Sequence, residues 1–150
     1  MNDFAPLKEE IISYSKEIGI DKIGFASADV FTELKERLIT QQKLNYQSGF
    51  EKGTIEERTE PRRLLNSAQS IISIALAYPT KIKDQPKSLP GERRGIFSRS
   101  SWGTDYHVVL QEKLQQLAQF IDGKLSDFQY KIMVDTGELS DRAVAVRAGI

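Results

Sequence analysis

Nine residues, Ser70-Ile-Ile-Ser-Ile-Ala-Leu-Ala-Tyr78, constrain this chain more than any other stretch. An apolar run of this length has too few polar positions to leave one face in water. It reads as a central strand covered on both sides, and Pro79 closes it because proline cannot donate to a ladder.

The cover is visible on either side of that run. Leu7, Ile11, Ile12, Tyr14 and Ile18 recur at near-helical spacing, which predicts an amphipathic helix over 7–18 with Gly19 as its stop. Lys22 to Ala28 is short and β-compatible. Phe31, Leu34, Leu38 and Gln42 then trace a second helix. Gln47 to Leu65 is polar and charge-rich, and Pro61 within it breaks any continuous helix. Beyond the central run, Thr80 to Ser101 holds Pro86, Pro90, Gly91 and Gly95 without apolar periodicity. A stretch of that kind is unusual inside a compact domain unless it has a task, and it is expected to be the most mobile segment. Thr104 or Asp105 caps a further helix, whose stripe is Leu110, Leu114, Leu117 and Ile121 and whose stop is Gly123. Phe128 to Val134 reads as another strand, and Leu139 to Ala148 as a last helix. This alternation predicts one α/β domain with helices packed on a sheet.

Composition narrows the functions open to such a domain. The 21 basic and 21 acidic side chains cancel, so no global field recruits a polyanion, and nucleic-acid contact must come from local patches. The absence of cysteine excludes disulfides, thiolate metal sites and cysteine-ligated clusters within these residues, and a single histidine leaves few metal options. No metal site is expected. MNDFAPLKEE carries acids where a secretory signal carries basic residues, and no segment approaches a membrane span of about 18 apolar residues. A cytoplasmic protein without membrane contact is expected.

The residues with chemical potential lie at element ends. Asp135, between a predicted strand and Gly137, would project from a sheet's carboxyl edge, where ligands of open α/β folds bind. By the residues alone, its type and position suit a helix-capping turn better than a reactant. Ser98 to His107 (SRSSWGTDYH) gathers the only tryptophan and the only histidine at a loop-to-helix junction with free amides and a positive dipole end. His107 could donate a hydrogen bond or shuttle protons there, or could pack on the face it shares with Leu110 and Leu114. Asp105 fits a cap better than a reactant, and Trp102 fits packing better than stacking on a base. Arg62, Arg63, Arg93, Arg94 and Arg99 either steer a phosphate backbone or keep their loops solvated.

Three segments in this order resemble the N-terminal part of epoxyqueuosine reductase, the cobalamin-dependent iron–sulfur enzyme of tRNA queuosine synthesis, and the resemblance spans nearly the whole chain. They are Glu60-Pro61-Arg62-Arg63-Leu64-Leu65 leading into Ser70–Tyr78, then Trp102-Gly103-Thr104-Asp105-Tyr106-His107, then Val134-Asp135-Thr136-Gly137 with Asp141-Arg142-Ala143 and Arg147-Ala148-Gly149-Ile150. The resemblance implies a nitroreductase-like α/β sheet with helices packed on it, forming a cobalamin-binding domain over 1–150. Members of that family continue into a ferredoxin-like domain holding two 4Fe–4S clusters and then into helical repeats. On that ground the chain is expected to be an N-terminal fragment, truncated at its C-terminal end, monomeric and inactive alone.

The reaction so implied is reduction of epoxyqueuosine to queuosine at the wobble position of tRNA. Cobalamin and the clusters supply the electrons, and an acid protonates the opening ring. Asp135 matches the family's proton donor, on condition that burial lifts its pKa above roughly 3.9 and keeps it neutral. Tyr106 and His107 match positions bordering the substrate pocket. Ser98, beside Arg99, falls where the active-site loop approaches the base, and Arg142 matches a position near the acid. A cationic Arg142 would favour ionised Asp135, so desolvation has to prevail. Many relatives have Arg-Tyr-Ala where this chain has Arg99-Ser100-Ser101, and a longer acid at Asp141. Two other functions share the domain: a different cobalamin-dependent reductase such as a reductive dehalogenase, and a non-catalytic cobalamin-binding module.

Overall fold

The computed structural model describes residues 4–78, 87, 89–95 and 97–150. Among them the sheet is a two-stranded antiparallel ribbon: β1 (Lys22–Ser27) pairs with β2 (Ser70–Ala75) in the register Lys22↔Ala75 to Ser27↔Ser70. Alternation gives the ribbon two faces. Ile23 and Phe25 lie opposite Ile74 and Ile72 on one, and Gly24 and Ala26 opposite Ser73 and Ile71 on the other.

Helices cover both faces. α1 (Ala5–Glu17) and α5 (Tyr106–Asp122) pack together on the first, where buried Ile11, Leu117 and Ile121 meet Ile23, Phe25, Ile72 and Ile74. Tyr14 stacks on Phe120 at 4.3 Å, Lys124 pairs with Glu10 at 2.7 Å, and Lys113 Nζ donates to the Ile18 carbonyl at the end of α1. Leu117 is only 2% exposed, so truncating it to alanine would cost about 2–5 kcal/mol. α6 (Asp141–Ala148) lies across both strands on the second face. There Phe31, Leu139 and Val144 form a second buried cluster with Leu34, Leu64, Ile71 and Met133.

The approach of α6 to the ribbon depends on Gly24. A Cβ on that residue would lie 2.3 Å from the carbonyl oxygen of Ala148 and 2.9 Å from its Cβ. Arg147 fastens the same helix end from outside. Its guanidinium donates to the carbonyls of Asp29 at 2.6 Å and Val30 at 3.1 Å and stacks 3.3 Å above the Phe31 ring. An arginine fork suits this task because its planar donors reach several acceptors while its face covers an aromatic ring.

The connection between the strands carries α2 (Thr32–Lys43), α3 (Ile55–Thr59) and α4 (Pro61–Leu64). Thr54 and Glu57 form a reciprocal capping box at α3. Pro61 starts α4 instead of merely ending a helix, since its missing N–H is no loss in a first turn. Lys35 of α2 ties this region together through Glu60 at 2.6 Å and Glu56 at 3.6 Å.

Two sequence expectations need correction. Ser70–Tyr78 is a strand only to Ala75, and its residues are mostly half-buried. Phe128–Val134 is not a strand, because no backbone among the described residues forms a ladder with it. Its apolar side chains instead fill gaps between helices: Phe128 joins the α1–α5 cluster and Met133 the α6 cluster. Asp135 therefore does not stand at a sheet edge. The mixed α/β class and the helices over 7–18, 31–42, 104–122 and 139–148 agree with the periodicity, with ends shifted by a few residues. The segment Thr80–Ser101 falls partly outside the described residues. Among the described residues, no helix is long and apolar enough to cross a membrane.

Candidate functional site

Asp135 sits on a sharp turn held at both ends. Its φ is +52°, in the left-handed region that aspartate tolerates better than most residues. The Thr136 amide donates to the Val134 carbonyl at 2.5 Å across it. A bond spanning three residues around a positive φ describes the rarer and more strained form of γ-turn, and such backbone costs about 1–3 kcal/mol unless its surroundings impose it. The surroundings do so here. Met133 before the turn and Leu139 after it are both anchored in the α6 cluster. A Cβ on Gly137 would come within 2.9 Å of the Met133 Cβ, so only glycine lets the two limbs close. Lys131 and Glu138 pair across the base of the turn at 3.2 Å.

The first turn of α5 supplies the facing groups. Asp105 caps the helix, its Oδ1 accepting from the His107 backbone N–H at 2.8 Å. The same oxygen lies 2.8 Å from His107 Nδ1, so one carboxylate both starts the helix and aims the imidazole. The Tyr106 and His107 rings stack at 4.1 Å. Both reach Asp135: the Tyr106 hydroxyl donates to Oδ2 at 2.6 Å, and His107 Nε2 stands 3.5 Å from that oxygen. The second distance is too long for a formed hydrogen bond. Nε2 is buried and has no other partner. Asp135 Oδ1 takes no hydrogen bond from any described group and is the open oxygen of the site.

Electrostatics follow from these contacts. Hydrogen bonds from the His107 amide and then its ring hold the Asp105 carboxyl below its ordinary range. The bond to Asp135, followed by desolvation and the nearby acids, pushes the Tyr106 phenol above its usual value of 10. Asp141, at the start of α6, is raised first by desolvation and then by the charge of Asp135, although its carboxylate accepts from the Asp135 backbone N–H. Three acids thus meet on one small surface, and Asp141 fastens the turn from behind.

Of the sequence candidates, the fold brings Asp135, Tyr106 and His107 together. Ser98 bonds locally to Ser100 and Ser101 beside a short turn of 3-10 helix at Arg99–Ser101. Neither Ser98, Arg99 nor Arg142 makes a hydrogen bond or ion pair to the Asp135 group among the described residues. The dry setting expected around Asp135 is not supplied by these residues either, because its side chain is 60% exposed. The reason is local: a surface turn carries it, and no described element packs over Oδ1. Sequence reading missed Asp105 as the residue that orients His107. The signal was present, since an acid two positions before a histidine at a helix start puts both ring and amide within reach of one carboxylate. Asp141 and Arg147 were visible only as motif members.

A family model described as "Epoxyqueuosine reductase QueG, DUF1730" matches residues 58–136. The epoxyqueuosine reductase of Bacillus anthracis is 65% identical over 148 residues, covering 99% of this chain and 39% of that protein. A crystal structure of epoxyqueuosine reductase with a tRNA-Tyr epoxyqueuosine-modified stem loop matches with a TM-score of 0.89 at 59% identity, over 97% of this chain and 39% of that one. A Bacillus subtilis epoxyqueuosine reductase structure, described as having the catalytic loop of an aspartate swung out of the active site, matches with a TM-score of 0.88 at 57% identity. It covers 98% of this chain and 39% of that one. The chain thus spans about two fifths of the length of these relatives.

Proposed function

The chain belongs to the epoxyqueuosine reductase QueG family, and from that premise we propose that residues 1–150 form the N-terminal, cobalamin-binding domain of a cytoplasmic oxidoreductase that reduces epoxyqueuosine to queuosine in tRNA. The fold proposed for the domain is nitroreductase-like, and Asp135 is its general acid. The observation that carries this reading is the arrangement at Asp135. One carboxyl oxygen is fixed by Tyr106, the other is open to an incoming group, and the turn that presents them is strained and pinned by α6.

The residues present suit one wall of a cobalamin site. The orphaned His107 Nε2 and the open Asp135 oxygen mark a polar edge, while Tyr106, Trp102 and Phe97 leave aromatic surface exposed in the segment leading into α5. These three would hold the corrin face, with Ser98, Arg99 and Arg142 at its margins. The described residues do not enclose so large a group. A concavity of about 280 Å³ is lined by Ala28, Val30, Glu60, Pro61, Arg62 and Arg63, and by none of the Asp135 group. When bound and reduced, cobalamin supplies the electrons for opening the epoxide, fed by the 4Fe–4S clusters of the longer protein.

The work of the chain itself is proton delivery. An alkoxide is too basic to leave carbon unaided at neutral pH, and a carboxylic acid within hydrogen-bond reach removes that obstacle. Asp135 gives its proton to the ring oxygen as the carbon–oxygen bond breaks. Tyr106 keeps the donor oriented throughout. Because Asp135 is exposed here, the water exclusion that keeps an acid neutral comes from the cofactor and the modified base on closure. In this reading the turn moves only once the Asp141 contact that pins it is released, consistent with the swung-out loop described for the Bacillus subtilis relative.

Replacing Asp135 with asparagine in the full-length reductase tests this. Turnover should fall by about two to four orders of magnitude, with the cobalamin absorption spectrum of the loaded protein unchanged. An active Asp135→Asn enzyme would remove Asp135 from the mechanism. A protein that binds cobalamin but reduces no modified tRNA would be a carrier, and one that reduces organohalides instead would be a dehalogenase.

A further inference from the structure

We propose that His107 is the proton reservoir of Asp135, held in register by Asp105. The inference rests on the reading of Asp135 as an acid, and it concerns a pair of atoms that reading leaves unused. His107 Nε2 is buried and unpartnered, yet it lies 3.5 Å from Asp135 Oδ2. On the other side of the ring, Nδ1 is 2.8 Å from Asp105 Oδ1, which also receives the His107 amide.

Tautomer logic gives the arrangement a direction. Asp105 is an ionised acceptor, so Nδ1 carries the hydrogen. A neutral ring then presents a lone pair at Nε2, and a protonated ring presents an N–H whose acceptor among the described residues is Asp135 Oδ2. The groups facing the imidazole are Asp105 before α5, Asp135 on the turn, and Tyr106 stacked alongside, with Asp141 behind Asp135. Among the described residues, Asp105 and Asp135 stand at the two ring nitrogens.

The step balances. As Asp135 releases the proton of Oδ1 to the ring oxygen, the Nε2–H bond of His107 breaks and an O–H bond forms at Oδ2. Asp135 ends neutral and so does His107, while the electron pair of the broken carbon–oxygen bond stays on oxygen and takes the proton. The 3.5 Å separation has to close by roughly 0.6 Å, to a charge-assisted hydrogen-bond length. Recharging requires water to reach Nε2, hence a lift of the turn around Asp135.

Because this chain has one histidine, every imidazole signal belongs to His107. Nitrogen-resolved NMR of the chain should find hydrogen on Nδ1 in the neutral ring, a preference that Asp105→Asn should weaken. Hydrogen on Nε2 in the neutral ring of the unmodified chain would overturn the proposal even if that variant did not fold. In the full-length reductase, His107→Gln should lower kcat by about tenfold or more and abolish the alkaline fall in rate. A residue that merely braced the helix start would leave that pH profile intact. If Asp135→Asn is inactive while His107→Gln keeps the parental rate and profile, the reservoir is wrong and the acid stands. If Asp135→Asn is active, both fail.

Discussion

Replacing Gly24 with alanine tests the central packing of the fold with one carbon atom. The added Cβ would stand 2.3 Å from the Ala148 carbonyl oxygen and 3.0 Å from its carbonyl carbon. An ordinary carbon–oxygen contact is about 3.3 Å, so β1 and the C-terminal turn of α6 must separate by about 1 Å. The obstacle is backbone, and no side-chain rotation relieves it. Arg147 resists the movement, being tied to Asp29, Val30 and Phe31. Overpacking of this kind costs about 1–3 kcal/mol. The lower unfolded-state entropy of alanine offsets about 0.4–1 kcal/mol of that. A net loss near 1.3 kcal/mol lowers Tm by about 3–5 °C in a chain of this size, read by circular dichroism melting and by urea midpoint at unchanged m-value. Gly95→Ala is the control, because a Cβ there meets nothing within 4 Å. A Gly24→Ala chain that melts within about 1 °C of the parent would show that α6 does not rest on the ribbon as described.

Arg147→Ala should cost about 2 kcal/mol in urea unfolding through lost charged hydrogen bonds and stacking, and Arg147→Lys should recover less than half, since an ammonium cannot span both carbonyls and cover Phe31. The Tyr106 phenol, raised by its bond to Asp135, should ionise at higher pH than in Asp135→Asn, seen as a shifted component in the 295 nm titration. The stabilising contact is then complete below pH 10 and is lost as pH rises through the folded-state value. Glu60 is held below its ordinary 4.5 first by Lys35 and then by Arg63. Its contribution is accordingly present above about pH 4.5 and disappears as pH falls through the lower folded-state value, so Glu60→Gln should flatten the acid limb of the stability curve.

The helices were legible because each buries a stripe whose spacing survives in the sequence: Ile11 with Tyr14 in α1 and Ile18 at its C-terminal cap, and Leu117 with Ile121 in α5. β1 and β2 were legible from their apolar runs. Phe128–Val134 shows the limit of such reading. A strand is defined by its partner, and the same β-favouring residues serve equally well as an extended filler whose Phe128 and Met133 dip into two different clusters. The site divides in the same way. Tyr106, His107 and Asp135 were candidates because they stand in motifs at element ends, and the fold brings them together. The strained turn, the grip of Asp141 and the second use of Asp105 were not, since each depends on a distance between segments that no local pattern encodes.

A ribbon of β1 and β2 alone leaves the outer margin of each strand without a ladder partner among the described residues. Bare amide and carbonyl rows recruit further backbone, and at high concentration the readiest donor is another molecule of the same chain. Purified alone, these residues should accordingly sediment as a concentration-dependent mixture, against the monomer that the resemblance implies, whereas strands added along both margins would silence the association.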